Sequence, residues 1–208
     1  MVNLLTFRER ATGDFEGRSG RDAYQQYARS VEAIQGPMGS KLLWSGDVEP
    51  AASEQPDFDV AAVLQYASPR SFLRFATRGG ADSAARKAGL EGQWLIAAQT
   101  MDSAPWDVTD PTVLIELVGF GQDGQSWRDA RREACTGLEG ELIWRGRVIE
   151  RVTGSGPRVD EIVITGFSDD AARTAGLEAL SRVAGETGVE AWWTYQAQGN
   201  ELMPGLRR

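Results

Sequence analysis

Apolar and polar positions along the chain switch between two periods. Val2 to Phe7 is a short apolar run that predicts a strand. After a polar, glycine-bearing loop, Ala23, Tyr24, Tyr27, Val31 and Ile34 recur at helical spacing until Gly36-Pro37 stops them. Lys41 to Val48 and Asp59 to Tyr66 predict two more strands. Ser68-Pro69 supplies a capping serine and a first-turn proline to a helix marked by Phe72, Leu73 and Ala76. Gly79-Gly80 interrupts, and Gly92 to Thr100 predicts a closing strand.

The same order returns in the second half. Thr112 to Val118 predicts a strand, and Trp127, Ala130, Ala134 and Leu138 mark one face of a helix. Strands over Glu141 to Val152 and Asp160 to Phe167 flank a Thr153–Pro157 turn. Ser168 and the acidic pair Asp169-Asp170 open a helix in the place where a helix dipole favours negative charge. Val189 to Gln196 closes the half. The letters repeat as well: Leu42-Leu43-Trp44-Ser45-Gly46-Asp47-Val48 comes back, one hundred residues on, as Leu142-Ile143-Trp144-Arg145-Gly146-Arg147-Val148.

Each half therefore reads as β-α-β-β-α-β, the ferredoxin-like order. Both helices of such a unit fall on one face of its sheet, and the other face is left bare. Two such units in one chain cover each other. The expected fold class is α+β: two tandem ferredoxin-like repeats, 1–104 and 105–208, packed sheet to sheet as a pseudo-symmetric α+β barrel. Residues 101–111, with Pro105 and Pro111, form the expected linker.

Val2-Asn3-Leu4-Leu5 with Phe7, Ala23-Tyr24 with Tyr27, Trp44 with Gly46, Gln65-Tyr66-Ala67-Ser68, and Arg86 with Gly89-Leu90 together resemble the small dimeric α+β barrel proteins of an uncharacterised bacterial family. Residues 1–100 carry the resemblance; 112–198 follow it in element order and at the Trp-x-Gly strand. It implies a small-molecule protein related to cofactor-free monooxygenases, polyketide cyclases and lactone isomerases, existing as a monomeric pseudo-dimer or a homodimer. Haem enzymes of that superfamily use a proximal histidine, and this chain has none. By position Tyr24 and Tyr27 match Trp127 and Ala130, Tyr66 matches Phe167, and Arg86 has only Arg182 as a distant counterpart.

Composition narrows the chemistry. Thirty acidic against twenty-two basic residues give a net charge of −8, which argues against a nucleic-acid footprint. No apolar run reaches membrane-span length, and residues 1–10 lack a signal-peptide pattern, so a cytoplasmic location is expected. Without histidine there is no Ser-His-Asp or Cys-His triad and no common zinc site. The single Cys135 falls in a helix with apolar neighbours, which marks a buried structural thiol; Lys41 and Lys87 are the only lysines. No cofactor and no metal are expected. Glu139 with Glu141, and Asp169-Asp170, are too loosely spaced for an evident metal site.

Five groups of residues stand out. Gly119-Phe120-Gly121-Gln122-Asp123-Gly124 fits G-x-G-x-x-G between a strand and a helix, with Glu150 at the end of the next strand. That is the low-ranking nucleotide reading, against a plain flexible turn. The aromatic set Tyr24, Tyr27, Trp44, Tyr66 and Trp94 is either core or the wall of a pocket between sheet and helices. Arg74 and Arg86 are either solvated helix cations or clamps for a carboxylate or enolate. Asp47, Asp57 and Asp59 near a strand turn are candidate bases, with turn-forming roles as the alternative. Trp193 and Tyr195 share one strand face and Trp192 takes the other. The leading reading gives proton transfer to Tyr27 and Tyr66, charge stabilisation to Arg86, and ligand contact to Tyr24, Trp44, Trp94 and Arg74. The ligand is an apolar or aromatic metabolite. The reaction is a cofactor-free isomerisation, cyclisation, decarboxylation or oxygenation. The alternative is a non-catalytic binding or assembly barrel. An open, polar-lined pocket is expected in residues 1–100 and a filled or apolar one in 112–198.

Overall fold

The computed structural model describes residues 1–50, 55–77, 83–104, 112–121, 124–138 and 140–206. Of the expected linker at 101–111, Met101–Ser103 are strand instead and 105–111 lie outside the described residues, as do the Gly79-Gly80 break and Glu139. The strands are β1 (Val2–Phe7), β2 (Lys41–Val48), β3 (Val60–Gln65), β4 (Leu90–Ser103), β5 (Thr112–Phe120), β6 (Glu141–Thr153), β7 (Glu161–Phe167) and β8 (Val189–Gly199). The helices are α1 (Gly20–Gln35), α2 (Pro69–Thr77), α3 (Ala84–Gly89), α4 (Gln125–Gly137) and α5 (Asp170–Glu186). The chain is mixed α+β, and each half runs β-α-β-β-α-β with α3 added before β4. The short helix α3 was not expected; Ser83 caps it by accepting a hydrogen bond from the Arg86 N–H.

Two compact units emerge. The first holds Met1–Pro50, Asp57–Leu95 and the residues from Asn200 onward; the second is built on Ile96–Gly199. Neighbouring strands run in the order β4-β1-β3-β2 in the first unit and β8-β5-β7-β6 in the second. The pairs β1–β3, β2–β3, β5–β7, β5–β8 and β6–β7 are all antiparallel.

Several local features recur in the two units. β2 bulges between Leu42 and Trp44, so that Trp44 pairs with Val63; β6 bulges between Leu142 and Trp144, so that Trp144 pairs with Ile164. The Asp59 carboxylate accepts from the Phe7 N–H (2.6 Å), as Asp160 accepts from the Phe120 N–H (2.8 Å). Both helix ends are closed alike, by Ser40 N–H to the Gln35 carbonyl and Gly140 N–H to the Cys135 carbonyl, each 3.1 Å. In β6 the Trp-x-Gly spacing has a steric cause. Residues two apart share a strand face, and the Trp144 indole fills the space where a side chain on Gly146 would stand.

In the first unit one face of the sheet meets α1 through Leu5, Leu42, Val60, Ala62 and Leu64. In the second the matching layer is Leu114, Val118, Val163 and Phe167 under α4 and α5. Trp192 belongs to this helix-side layer, while Trp193 and Tyr195 pair with Leu117 and Ile115 on the other face, as alternation predicts.

Candidate functional site

Tyr24 and Tyr27 stand one turn apart on the buried face of α1, with ring centroids 5.3 Å apart, and Phe7 packs on Tyr24 at the same separation. Tyr66 follows β3; its hydroxyl accepts a hydrogen bond from Gln35 Nε2 at the end of α1, 3.1 Å away. Arg86 reaches in from α3. Its guanidinium lies 5.9 Å from the centre of the Tyr27 ring and donates to Gln93. Four of the residues singled out in the sequence are thus brought together by α1, the end of β3 and α3.

Burial sets the state of these phenols. It pushes Tyr27 up to about 12, against the pull of Arg86 and with a further push from Tyr66. Burial also raises Tyr24 and Tyr66, the latter opposed by the Gln35 hydrogen bond and by Arg86. All three are protonated donors near neutral pH. They are not bases.

The other candidates lie elsewhere. Trp44 is fully buried, but its partner Val63 places it on the sheet face away from Leu64 and α1. Trp94 packs edge-on to Phe58 at 5.3 Å. Arg74 is exposed on α2. Asp59 spends its carboxylate on a backbone N–H, and Asp47 accepts from Arg21 and from Asn200 Nδ2 (2.9 Å). These two aspartates hold turns and edges.

A segment with no sequence assignment covers the tyrosines. After β8 the chain turns at Asn200, whose N–H and carbonyl are bonded by Ser45 (3.0 Å each). Leu202, Met203 and Leu206 then join the core around Tyr24 and Tyr27, and the Gly205 N–H reaches Glu32 on α1 (3.3 Å).

The second unit departs from expectation. Counted back from the matched helix ends at Gln35 and Cys135, Tyr27 corresponds to Trp127, one turn away from the match that spacing suggested, and Val31 corresponds to Arg131. Strand registers likewise match Asn3 to Glu116, Val60 to Glu161 and Leu64 to Thr165. An apolar layer in one unit is a charged layer in the other. Glu116 is wholly buried; it accepts from Arg131 Nε (2.8 Å) and from Trp192 Nε1 (3.2 Å), and Arg131 also donates to Thr165. Burial lowers the Arg131 pKa, but the Glu116 carboxylate, with smaller contributions from Cys135 and Glu161, raises it overall. Arg128 pairs with Glu161 (2.8 Å), and Arg145 bridges Asp102 (2.6 Å) and Glu161 (3.7 Å).

Under α4 these side chains leave a cavity of about 190 Å³, walled by Trp127, Arg128, Arg131, Leu142, Arg145 and Glu161 among others. The half expected to be filled or apolar therefore holds a polar-lined cavity. Cys135 borders it and is buried, as expected; burial raises its thiol pKa, opposed by Arg131. Two signals in the sequence point here: a lone Glu116 inside the apolar run Val113–Val118, and Arg131 four residues from Trp127 on the same helix face.

The glycine motif has internal causes. A side chain on Gly119 would meet the Arg158 carbonyl, one on Gly121 the Glu190 carboxylate, and Gly124 caps α4 with φ +69° beneath the Phe120 ring. β5 is antiparallel to both its neighbours, unlike a dinucleotide-binding strand, and the Glu190 carboxylate lies against Gly121. Among the described residues no group of three or more His, Cys, Asp or Glu is placed to hold a metal ion, and no helix is long and apolar enough to cross a membrane.

No family model and no curated protein matches the chain. Solved structures do. A mutant chlorite dismutase from Candidatus Nitrospira defluvii aligns with a TM-score of 0.61 at 10% identity, over 99% of this chain and 92% of that one. An anthrone oxidase-like protein gives 0.58 at 11%, over 96% and 90%. A putative monooxygenase from Lactobacillus acidophilus NCFM gives 0.50 at 13%, over 94% and 90%. At these identities the likeness is one of fold: the chain shares the α+β barrel class expected from its repeats.

Proposed function

We propose that the chain binds a small enolisable carbonyl compound at the Tyr27–Tyr66–Arg86 cluster and stabilises its enolate without a tightly bound cofactor. The observation that carries this reading is the convergence of three neutral phenols and one guanidinium from separate elements. Tyr66 accepts its hydrogen bond from Gln35, so its own proton is left to donate to a ligand oxygen. Arg86 then opposes the negative charge that develops on that oxygen. A phenol held near 12 does not abstract a proton at neutral pH, so the substrate must be acidic at carbon by its own chemistry.

Anthrone has that property, and a protein of the same fold carries its name. Its enolate reacts with dioxygen to give anthraquinone and one water, which balances with no reductant. The test is oxygen uptake with anthrone, corrected for the protein-free reaction. The expected result is one dioxygen per anthrone, slowed roughly 10–100-fold by Tyr66→Phe or Arg86→Met. A rate equal to the protein-free one, or one indifferent to both substitutions, defeats the proposal.

One observation favours a second, non-catalytic reading. Leu202, Met203 and Leu206 pack into the same cluster, which suits a barrel used for binding or assembly. Removing the residues after Gly199 separates the two: it raises oxygen uptake if the cluster is a covered site and leaves it at background if the cluster is core.

A further inference from the structure

We propose that Phe72 on α2 is the gate and the specificity-determining residue of the tyrosine cluster: a planar aromatic ligand reaches Tyr66 by taking the place of the Phe72 ring. This rests on the reading above for what the cluster does to a ligand, and on the packing of α2 for how the ligand arrives. Of the three clustered phenols, Tyr24 and Tyr27 are buried, and the segment after Asn200 packs over them; Tyr66 is half-buried. The way in is therefore at Tyr66. What stands over it is α2. The Phe72 ring meets the Tyr66 ring edge-on at 5.2 Å, and the Phe75 ring lies 6.3 Å from it.

The second unit shows the same position sealed. Strand registers match Tyr66 to Phe167, which is buried. There α5 lies so close that a side chain on Gly176 would strike the Phe167 ring. α5 has 17 residues and buries four of them, whereas α2 has 9 and buries only Phe75. A helix backbone covers Phe167; side chains alone cover Tyr66. The two phenylalanines of α2 differ in turn. Phe75 belongs to the core around Tyr24 and anchors the helix. Phe72 is half-buried, next to Leu73 at 58% exposure. Its ring can turn outward by a change of rotamer while α2 stays in place. The edge-on contact with Tyr66 that it gives up is restored by a ligand ring in the same place. An aliphatic ligand restores nothing of the kind, so the gate selects aromatic ligands.

Access is measured on the full chain by nitration with tetranitromethane, each modified tyrosine being located by peptide mass spectrometry. The chain has 4 tyrosines, so Tyr66 is read beside Tyr24 and Tyr27 as internal controls. Phe72→Ala should speed Tyr66 nitration roughly 3–10-fold, because the reaction follows the open population, and leave Tyr24 and Tyr27 slow. Phe72→Leu keeps more bulk and should fall between; it carries the test if the alanine chain does not fold. Leu73→Ala, exposed on the same helix, should change nothing. The ligand probe is 1-indanone, an enolisable ketone fused to a benzene ring, with cyclohexanone as its aliphatic comparison. Saturable protection of Tyr66 by 1-indanone is expected, with cyclohexanone at least about ten-fold weaker. A gate that is mostly closed reduces apparent affinity in proportion to its open fraction, so Phe72→Ala should tighten 1-indanone about 3–10-fold; truncating a fixed wall would loosen it. The proposal is overturned if a folded Phe72→Ala chain is nitrated at Tyr66 as wild type is, or if Leu73→Ala speeds nitration equally. It is overturned as well if 1-indanone gives no saturable protection by about 10 mM, if cyclohexanone protects as well, or if Phe72→Ala leaves 1-indanone binding unchanged or weaker. Oxygen uptake from anthrone at the protein-free rate, with the expected nitration results in place, removes the enolate reading and leaves the gate standing.

Discussion

Arg131 and Glu116 lie 2.6 Å apart inside the layer between α4 and β5, in the positions that Val31 and Asn3 occupy in the first unit. A buried ion pair of this kind is costly to break and cheap to replace as a pair. Arg131→Met alone leaves Glu116 ionised without its main partner and should lower stability by roughly 3–5 kcal/mol. Arg131→Met with Glu116→Leu should cost clearly less than the sum of the two single changes. Urea unfolding of the four proteins measures this; strictly additive losses would show that the pair is not coupled.

Gly146 is fixed by the indole of Trp144 rather than by backbone conformation. Gly146→Val should therefore destabilise by roughly 1–3 kcal/mol through overpacking. Adding Trp144→Leu, which clears the space, should recover part of the loss attributable to Gly146→Val. The check is the urea midpoint of both variants; a double variant no better than the sum removes the indole as the cause.

Tyr27 sets an alkaline limit. Its pKa lies above the ordinary 10.0, at about 12, because burial disfavours the phenolate. Below pH 10 the folded and unfolded states bind the same proton and stability is unaffected. From 10 to about 12 the unfolded chain ionises first, so stability falls by at most roughly 2–3 kcal/mol. Absorbance at 295 nm should show phenolate forming in the folded protein well above the pH at which the urea-unfolded chain titrates. A Tyr27→Phe chain should lose part of that late signal.

The fold was legible because its signal is repeated. Leu-Leu-Trp-x-Gly and Leu-Ile-Trp-x-Gly fixed the same bulged strand twice, and the β-α-β-β-α-β order followed from changes of period. Tyr24 and Tyr27 were legible as neighbours on one helix face, while Arg86 was singled out through the family resemblance; the helix α3 that carries it was not legible. The pocket reading of Trp44 was not: one extra residue at the bulge turns its side chain to the opposite face, and no period-two count reveals that. The charged layer was missed because Arg131 and Glu116 are ordinary letters separately. A lone acid in an apolar run and an arginine on the Trp127 helix face are its two traces in the sequence, and the register that puts Glu116 opposite Thr194 and beside Val163 joins them in one buried pair.

The terminal segment makes a fourth expectation. Met203 is 2% exposed against the α1 core. Met203→Ala should cost roughly 2–5 kcal/mol and increase the accessibility of Tyr27, read as faster nitration by tetranitromethane. Unchanged stability with unchanged nitration would mean that the segment does not hold the core.

That arrangement orders events in time. Translation delivers β1, α1, β2 and β3 before the second unit, and the leucines and methionine that seal them after it. Until then Tyr24, Tyr27 and their apolar neighbours are only partly enclosed, so folding of the first unit is completed by residues made after the second. A premature stop between Ser103 and Leu202 spares every strand of the first unit and still leaves it open, which exposes truncated chains to proteolysis and association.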